Sequence, residues 1–161
     1  MSDTLVVHFS RTGYTRRIAE EIAQAAGGDV EGIREKRQRT GLAGYFRSGR
    51  EAWKQTAVEI EPAIRDPRNY RLVILGTPVW AGRLSSPVRA YIAAHKQELP
   101  RIALFCTQGG SGAPKVLQAM ADLCGQKPVA TAFFSDAEID RGRYAEKLRA
   151  FAAAVAPPKA A

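Results

Sequence analysis

Leu5-Val6-Val7-His8-Phe9-Ser10-Arg11-Thr12-Gly13-Tyr14-Thr15 is the stretch from which the fold is read. Residues 5–9 are mostly apolar and have the length of a buried strand. Beyond the turn, Ile18, Ala19, Ile22, Ala23 and Ala26 recur at helical spacing until Gly27-Gly28 ends the pattern. A strand that runs into a helix through a Ser/Thr/Gly turn predicts an anion cradle. The first amides of a helix have no intrahelical acceptor, and the helix dipole favours negative charge there. Ser10, Thr12 and Thr15 add hydroxyl donors, and Gly13 lets the backbone approach closely. Serine and threonine are also ordinary caps, so it is the position between strand and helix that carries the reading.

Working outward, residues 30–34 read as a weak second strand and 71–75 as a third. The third is almost continuously apolar, which suits burial on both faces. A helix is expected over 87–96, with Ser86 as N-cap and Pro87 at its first position. Residues 101–106 give a fourth strand, 113–123 a helix with Pro114 near its start and Gly125 after its end, and 129–134 a fifth strand. A last helix spans 143–155 and stops before Pro157-Pro158. Strands alternating with helices predict an α/β fold, a three-layer α-β-α sandwich around a parallel sheet. Ligands in such sheets bind at the carboxyl ends of the strands, near the reversal of strand order. One domain is expected over 1–156, with a frayed Ala/Pro-rich tail at 157–161.

Residues 40–55 break the alternation. Leu42, Tyr45, Phe46, Gly49, Ala52 and Trp53 fall close to helical spacing, opposite Arg47, Arg50 and Lys54. This predicts an amphipathic insertion after the second strand. It can pack on the domain edge, serve as a self-association face in a homodimer, or cap the site.

Composition narrows the class. The 161 residues are 45% hydrophobic and 25% charged, which excludes a disordered or fibrous chain. No apolar run approaches the ~20 residues that span a bilayer, and residues 1–4 do not open a secretory signal. Cys106 and Cys124 cannot form a disulfide scaffold. A cytoplasmic, reduced setting is the expectation. The net charge is +8. Seven basic and two acidic side chains lie between Arg34 and Lys54, so much of the excess is local. A field of that sign favours an anionic partner or simply a solvated basic face.

Two more strand ends are unusual. The third strand leads into Thr77-Pro78-Val79-Trp80-Ala81-Gly82, where a large aromatic plane adjoins a glycine. Trp80 either covers the core or offers a stacking platform. The fourth leads into Cys106-Thr107-Gln108-Gly109-Gly110-Ser111-Gly112, whose glycines expose backbone donors and acceptors. Several rivals fail by residue. G-x-G-x-x-G is absent after the first strand, and Pro114 precedes Lys115 where a P-loop needs Gly-Lys-Ser/Thr. A Cys-x5-Arg phosphatase loop would put arginine at 112, which is Gly112. His8 and His95 are far apart in sequence and form no metal-spaced cluster. Cys106 reads as a buried, inert thiol near the third loop.

These three loops resemble those of the flavodoxin-like family of FMN-binding proteins, and the resemblance runs from Leu5 to Val155. It implies a five-stranded parallel sheet in the order 2-1-3-4-5 with non-covalent FMN at its carboxyl edge. It also implies roles for residues. Ser10, Arg11, Thr12, Gly13, Tyr14 and Thr15 would hold the FMN phosphate. Thr77, Pro78, Val79, Trp80, Ala81 and Gly82 would line the isoalloxazine. Thr107, Gln108, Gly109 and Gly110 would meet its pyrimidine end. No catalytic acid or base is required, because the flavin carries the electron chemistry.

The chain departs from the carriers of that family in two respects. They are typically acidic, and this chain is +8. Many sandwich the ring between two aromatics, and the third loop here has none. The first expectation is a redox protein that passes electrons through FMN to a partner protein. The alternative is an NAD(P)H-dependent quinone or FMN oxidoreductase with one flavin face open and basic residues meeting the nicotinamide phosphates. A remote third is a flavin-free anion or nucleic-acid binding module working through residues 34–54.

Overall fold

Side chains leave the central strands in two directions, and each direction has its own core. Val73 and Leu75 join one buried cluster, while Leu72 and Ile74 join another. The same alternation separates Leu5 and Val7 from Val6, and Ile102 and Leu104 from Ala103 and Phe105. Strands buried on both faces need apolar residues at every position, which explains their continuous apolar runs. The computed structural model describes residues 2–36 and 58–158. The amphipathic insertion expected over 40–55 lies outside the described residues, as do the last three residues of the tail.

The strands are β1 (Thr4–His8), β2 (Asp29–Gly32), β3 (Leu72–Trp80), β4 (Arg83–Leu84), β5 (Arg101–Gln108) and β6 (Thr131–Ser135). The helices are α1 (Tyr14–Ala26), α2 (Ser86–His95), α3 (Ala113–Cys124), α4 (Asp136–Asp140) and α5 (Ala145–Val155). The order is β2-β1-β3-β5-β6 with all neighbours parallel, and β4 folds back antiparallel on β3. Setting the two-residue β4 aside, this is the 2-1-3-4-5 order of a doubly wound α-β-α sandwich. α2 and α3 supply Val88, Ile92, Val116 and Met120 to one core. α1 and α5 supply Ile18, Ile22, Leu148 and Phe151 to the other. The order reverses between β1 and β3, so that rim is where a ligand site is expected.

Three differences from the expected elements have physical causes. β3 does not stop at residue 75. It stays paired with β5 as far as Pro78 opposite Thr107, then turns through Ala81 and Gly82 into β4. Both turn residues have positive φ, 50° and 71°, as a two-residue type I′ hairpin requires. β2 covers Asp29–Gly32, shorter than the expected strand over 30–34. Beyond it Glu35 bridges Ile60, and the buried Glu31 carboxylate accepts the amides of Ile64 and Arg65 at 2.9 and 2.7 Å. The N-cap of α2 is Ser85, with Ser86 already inside the helix, because the Ser85 hydroxyl is held by Thr77.

Candidate functional site

α1 opens on Gly13, whose φ of 103° is a left-handed conformation that glycine adopts freely. Its amide donates to Ser10 Oγ at 3.0 Å, which closes the 10–13 turn. A glycine N-cap supplies no side-chain acceptor, and the first turn holds no acidic residue. The amino end of α1 therefore presents its dipole and free amides to the rim without internal neutralisation. Thr12 is exposed beside it.

Thr15 lies inside the fold. It is 1% exposed, and its hydroxyl lies 2.8 Å from that of Thr107 on β5. That buried bond fixes the start of α1 across the sheet against the root of the third loop. Thr77 is also internal: its Oγ1 lies 2.8 Å from both Ser85 Oγ and Pro78 O and accepts the Ser85 amide at 3.2 Å. Gln108 Oε1 accepts the Ala113 amide at 3.0 Å and so caps α3. Thr15, Thr77, Thr107 and Gln108 hold the loops in place from beneath, while Arg11, Thr12, Ala81, Gly109 and Gly110 stand exposed at the rim. Pro78 and Val79 are half-buried along the last part of β3. Trp80 is 8% exposed and sets its ring at 90° to Phe9, 5.4 Å between centroids, so it closes the top of the core.

The second and third loops touch through glycine. A Cβ built on Gly112 would stand 3.1 Å from Gly82 Cα, and Gly112 itself has φ 110°. Both facts exclude a side chain. Gly112→Ala is expected to lower stability by about 2 kcal/mol, from the left-handed backbone and the close approach together. Gly110→Ala should leave it unchanged, since a Cβ there meets nothing within 4 Å. Urea unfolding midpoints check the pair, and equal midpoints would count against the contact.

A fourth strand end, absent from the sequence reading, joins the site. α4 follows β6 at once, and Asp136 Oδ2 stands 3.0 Å from where a Gly109 Cβ would be. Burial first and then the Asp140 charge push the Asp136 carboxyl above its usual range. The Tyr14 hydroxyl donates to Asp140 at 2.9 and 3.0 Å, and that bond, ahead of desolvation, holds the phenol above its ordinary value. Tyr14 thus ties the 10–15 loop to α4. Ser135-x-x-Glu138 is a capping box, Ser135 Oγ accepting from the Glu138 amide at 3.1 Å and the Ser135 amide donating to Glu138 at 2.8 Å. That spacing was the signal that could have located α4.

Burial pushes Cys106 up to about 12 and Cys124 up to about 11, so both thiols are protonated and inert at neutral pH. Among the described residues no His/Cys/Asp/Glu group could hold a metal ion, and no helix is long and apolar enough to cross a membrane. A groove of about 1240 Å³ lies elsewhere, along β6 between α3 and α5. Its walls include Leu117, Ala121, Phe133 and Phe151 and lie away from the loops after β1 and β3, so loop geometry rather than size assigns the site.

Comparison with solved structures agrees with this topology. A flavoprotein from Lactobacillus acidophilus NCFM, solved in complex with FMN, superposes with a TM-score of 0.72 at 22% identity, covering 88% of this chain and 98% of that one. The two-electron reduced flavodoxin of Megasphaera elsdenii gives 0.55 at 23% identity, covering 95% and 99%. A flavodoxin-type WrbA-like protein from Agrobacterium tumefaciens gives 0.55 at 18%, covering 95% and 96%. No curated protein matches the chain. The sequence model of the flavodoxin family matches residues 3–146, from before β1 into α5, and the chain belongs to that family.

Proposed function

We propose that the chain binds one FMN non-covalently at the β1, β3 and β5 rim and works as a redox protein. The observation that carries this is the amino end of α1, uncapped by any side chain and free of acidic residues, beside two glycine turns in contact. The residues fit the group. A Cβ on Gly13, Gly82 or Gly110 would meet nothing within 4 Å, so space lies open above all three loops. The phosphate would take the free amides of α1 with the Ser10 and Thr12 hydroxyls. The ring would lie by Pro78–Gly82 and Gly109–Gly110, with Trp80 bordering it from the core side. The L. acidophilus protein, similar in fold, is an FMN complex.

When bound, FMN supplies reversible one- and two-electron transfer. The chain's own residues bind and orient it. The Thr15–Thr107 bond and the Tyr14–Asp140 bond keep the phosphate loop at a fixed distance from the third loop. Asp136 places negative charge beside Gly109, which disfavours further negative charge on a group held there. Protein purified with its cofactor, or reconstituted with excess FMN and desalted, is expected to absorb near ~375 and ~450 nm, the flavin's own bands. A colourless sample after reconstitution would end this reading.

One observation favours a second reading, an NAD(P)H-dependent oxidoreductase acting on a quinone or flavin. Gly109 and Gly110 are exposed and carry no ring, which leaves one side of the site uncovered by the third loop. The net charge of +8 suits an anionic donor better than the basic faces that acidic carriers meet. Steady-state NADPH oxidation with a quinone separates the readings, and negligible turnover with either nicotinamide leaves the carrier.

A further inference from the structure

The phenol of Tyr91, on α2, ends inside the molecule without a protein partner. Tyr91 is 1% exposed, and its Oη is sealed from bulk solvent and makes no hydrogen bond within the chain. Buried hydroxyls are nearly always paired, with protein or with ordered water, because an unpaired one keeps its full desolvation cost. Tyr91 lines a cavity of about 30 Å³ together with Glu31, Ile33, Ile60 and Ala63. One water needs roughly 10–15 Å³ of such space and about two to four polar partners. The second polar partner here is Glu31 on β2, which is 6% exposed. The Ile64 and Arg65 amides both donate to its Oε1, which leaves Oε2 to accept another bond. Burial first and then the Glu31 charge push the Tyr91 phenol far above its ordinary value. The carboxylate is therefore near enough to act on the hydroxyl, yet the two make no direct bond. That is the separation a single bridging water spans.

We propose that this cavity is a binding site for one ordered water, which accepts a hydrogen bond from Tyr91 Oη and donates one to Glu31 Oε2. The site lies where the chain leaves β2 and where it comes back. There Glu35 bridges Ile60, the Lys36 amide donates to Glu59 O at 3.2 Å, and the Glu61 amide donates to Arg34 O at 2.7 Å. Ile33, Ile60 and Ala63 pack from this point against the core that holds Tyr91. Glu31 fastens the returning residues Ile64 and Arg65 to β2 by direct bonds, and the water carries that fastening on to α2. β2 is the last strand on its side of the sheet, so side-chain and water bonds supplement the isolated Glu35–Ile60 bridge there.

Tyr91→Phe tests the site, because it removes the hydroxyl and keeps the ring. With a bridging water, the variant loses a buried hydrogen bond, and its urea midpoint should fall. The amides of Ile64 and Arg65 should also exchange with solvent about fivefold faster, relative to those of the central strand β5. A midpoint that stays or rises overturns the site, since removing a hydroxyl buried without a partner costs nothing. A crystal structure of the full chain, resolved well enough to show ordered water, supplies the direct readout. It should place one water within hydrogen-bond distance of both Tyr91 Oη and Glu31, and a crystal of the Tyr91→Phe variant should lose it. A direct bond between Tyr91 Oη and Glu31 would overturn the site, and so would density with no water beside Oη. FMN takes no part in these bonds, so a sample that stays colourless after reconstitution leaves each of these outcomes as informative as before.

Discussion

Gly76→Ala is expected to cost about 3 kcal/mol or more, the upper range for forcing atoms into a packed core. Gly76 lies in β3 directly opposite Phe105 of β5. A Cβ at that position would stand 2.1 Å from Phe105 Cζ, 2.4 Å from Cε1 and 2.8 Å from Cε2. Real carbon atoms do not approach so closely, so the ring or the strand must move. The ring has little freedom: Phe105 is fully buried and meets Phe151 of α5 edge-on at 6.5 Å. The strand has little more, since the Gly76 carbonyl accepts the Phe9 amide at 3.2 Å at the mouth of the first loop. Against a typical total stability of about 5–15 kcal/mol, such a loss changes the folded fraction greatly.

The same geometry predicts a coupling. Phe105→Leu alone removes part of a buried ring and should cost roughly 1–2 kcal/mol. In the double variant the leucine leaves room for the alanine methyl. The combined loss should then fall short of the summed single losses by at least about 1 kcal/mol. Urea denaturation of the four proteins measures this cycle. Strict additivity would mean that the clash at Gly76 is absorbed by the backbone and not by Phe105. Because Thr77 follows at once, an adjusted backbone should also weaken FMN binding, whereas an adjusted ring should spare it.

What was legible in the sequence follows from the range of the interactions involved. β1, its turn and α1 could be read because each depends on neighbours in the chain: an apolar run, a Ser/Thr/Gly turn, a helical period. A parallel sheet with helices on both faces followed from alternation, whereas the strand order was implied by the resemblance of the three loops. Long-range contacts were not legible. Nothing near Thr15 announces that its hydroxyl meets Thr107, 92 residues away. Nothing near Gly76 announces Phe105. Trp80 had two roles open from the sequence, and its packing on Phe9 joins the end of β3 to the loop after β1. β3 runs beyond the expected end at residue 75 because pairing with β5 carries the strand through Thr77-Pro78, which reads locally as a loop. α4 is the opposite case: its Ser135–Glu138 spacing is a purely local capping signal.

Acid should weaken the fold earlier than its carboxylates alone predict, and His8 is the reason. It sits at the carboxyl end of β1, 4% exposed, with Nδ1 lacking any hydrogen-bond partner. The imidazole edge faces β2, where a Gly32 Cβ would be 3.7 Å from Cε1 and Nε2. Burial first and then the positive charge of Arg16 lower its pKa from 6.5 to about 4. The native state therefore keeps His8 neutral while the unfolded chain protonates it. Between pH 6.5 and about 4 the unfolded state binds more protons, so stability is full above pH 6.5 and falls as pH drops toward 4. The loss is on the order of 3 kcal/mol once pH is below both values. Asp66 and Glu138, whose carboxyls lie below their usual range through hydrogen bonds to Arg68 and to the Ser135 amide, add their losses at lower pH. The His8 effect thus occupies its own window. His8→Phe, which cannot take up a proton, should flatten the unfolding midpoint between pH 6.5 and 4.5 while leaving the steeper fall below pH 4. In the wild type, the His8 ring resonance should not titrate above pH 5. A His8 resonance that titrates near 6.5 would refute this account, and with it the reading of the floor beneath the first loop as sealed from water.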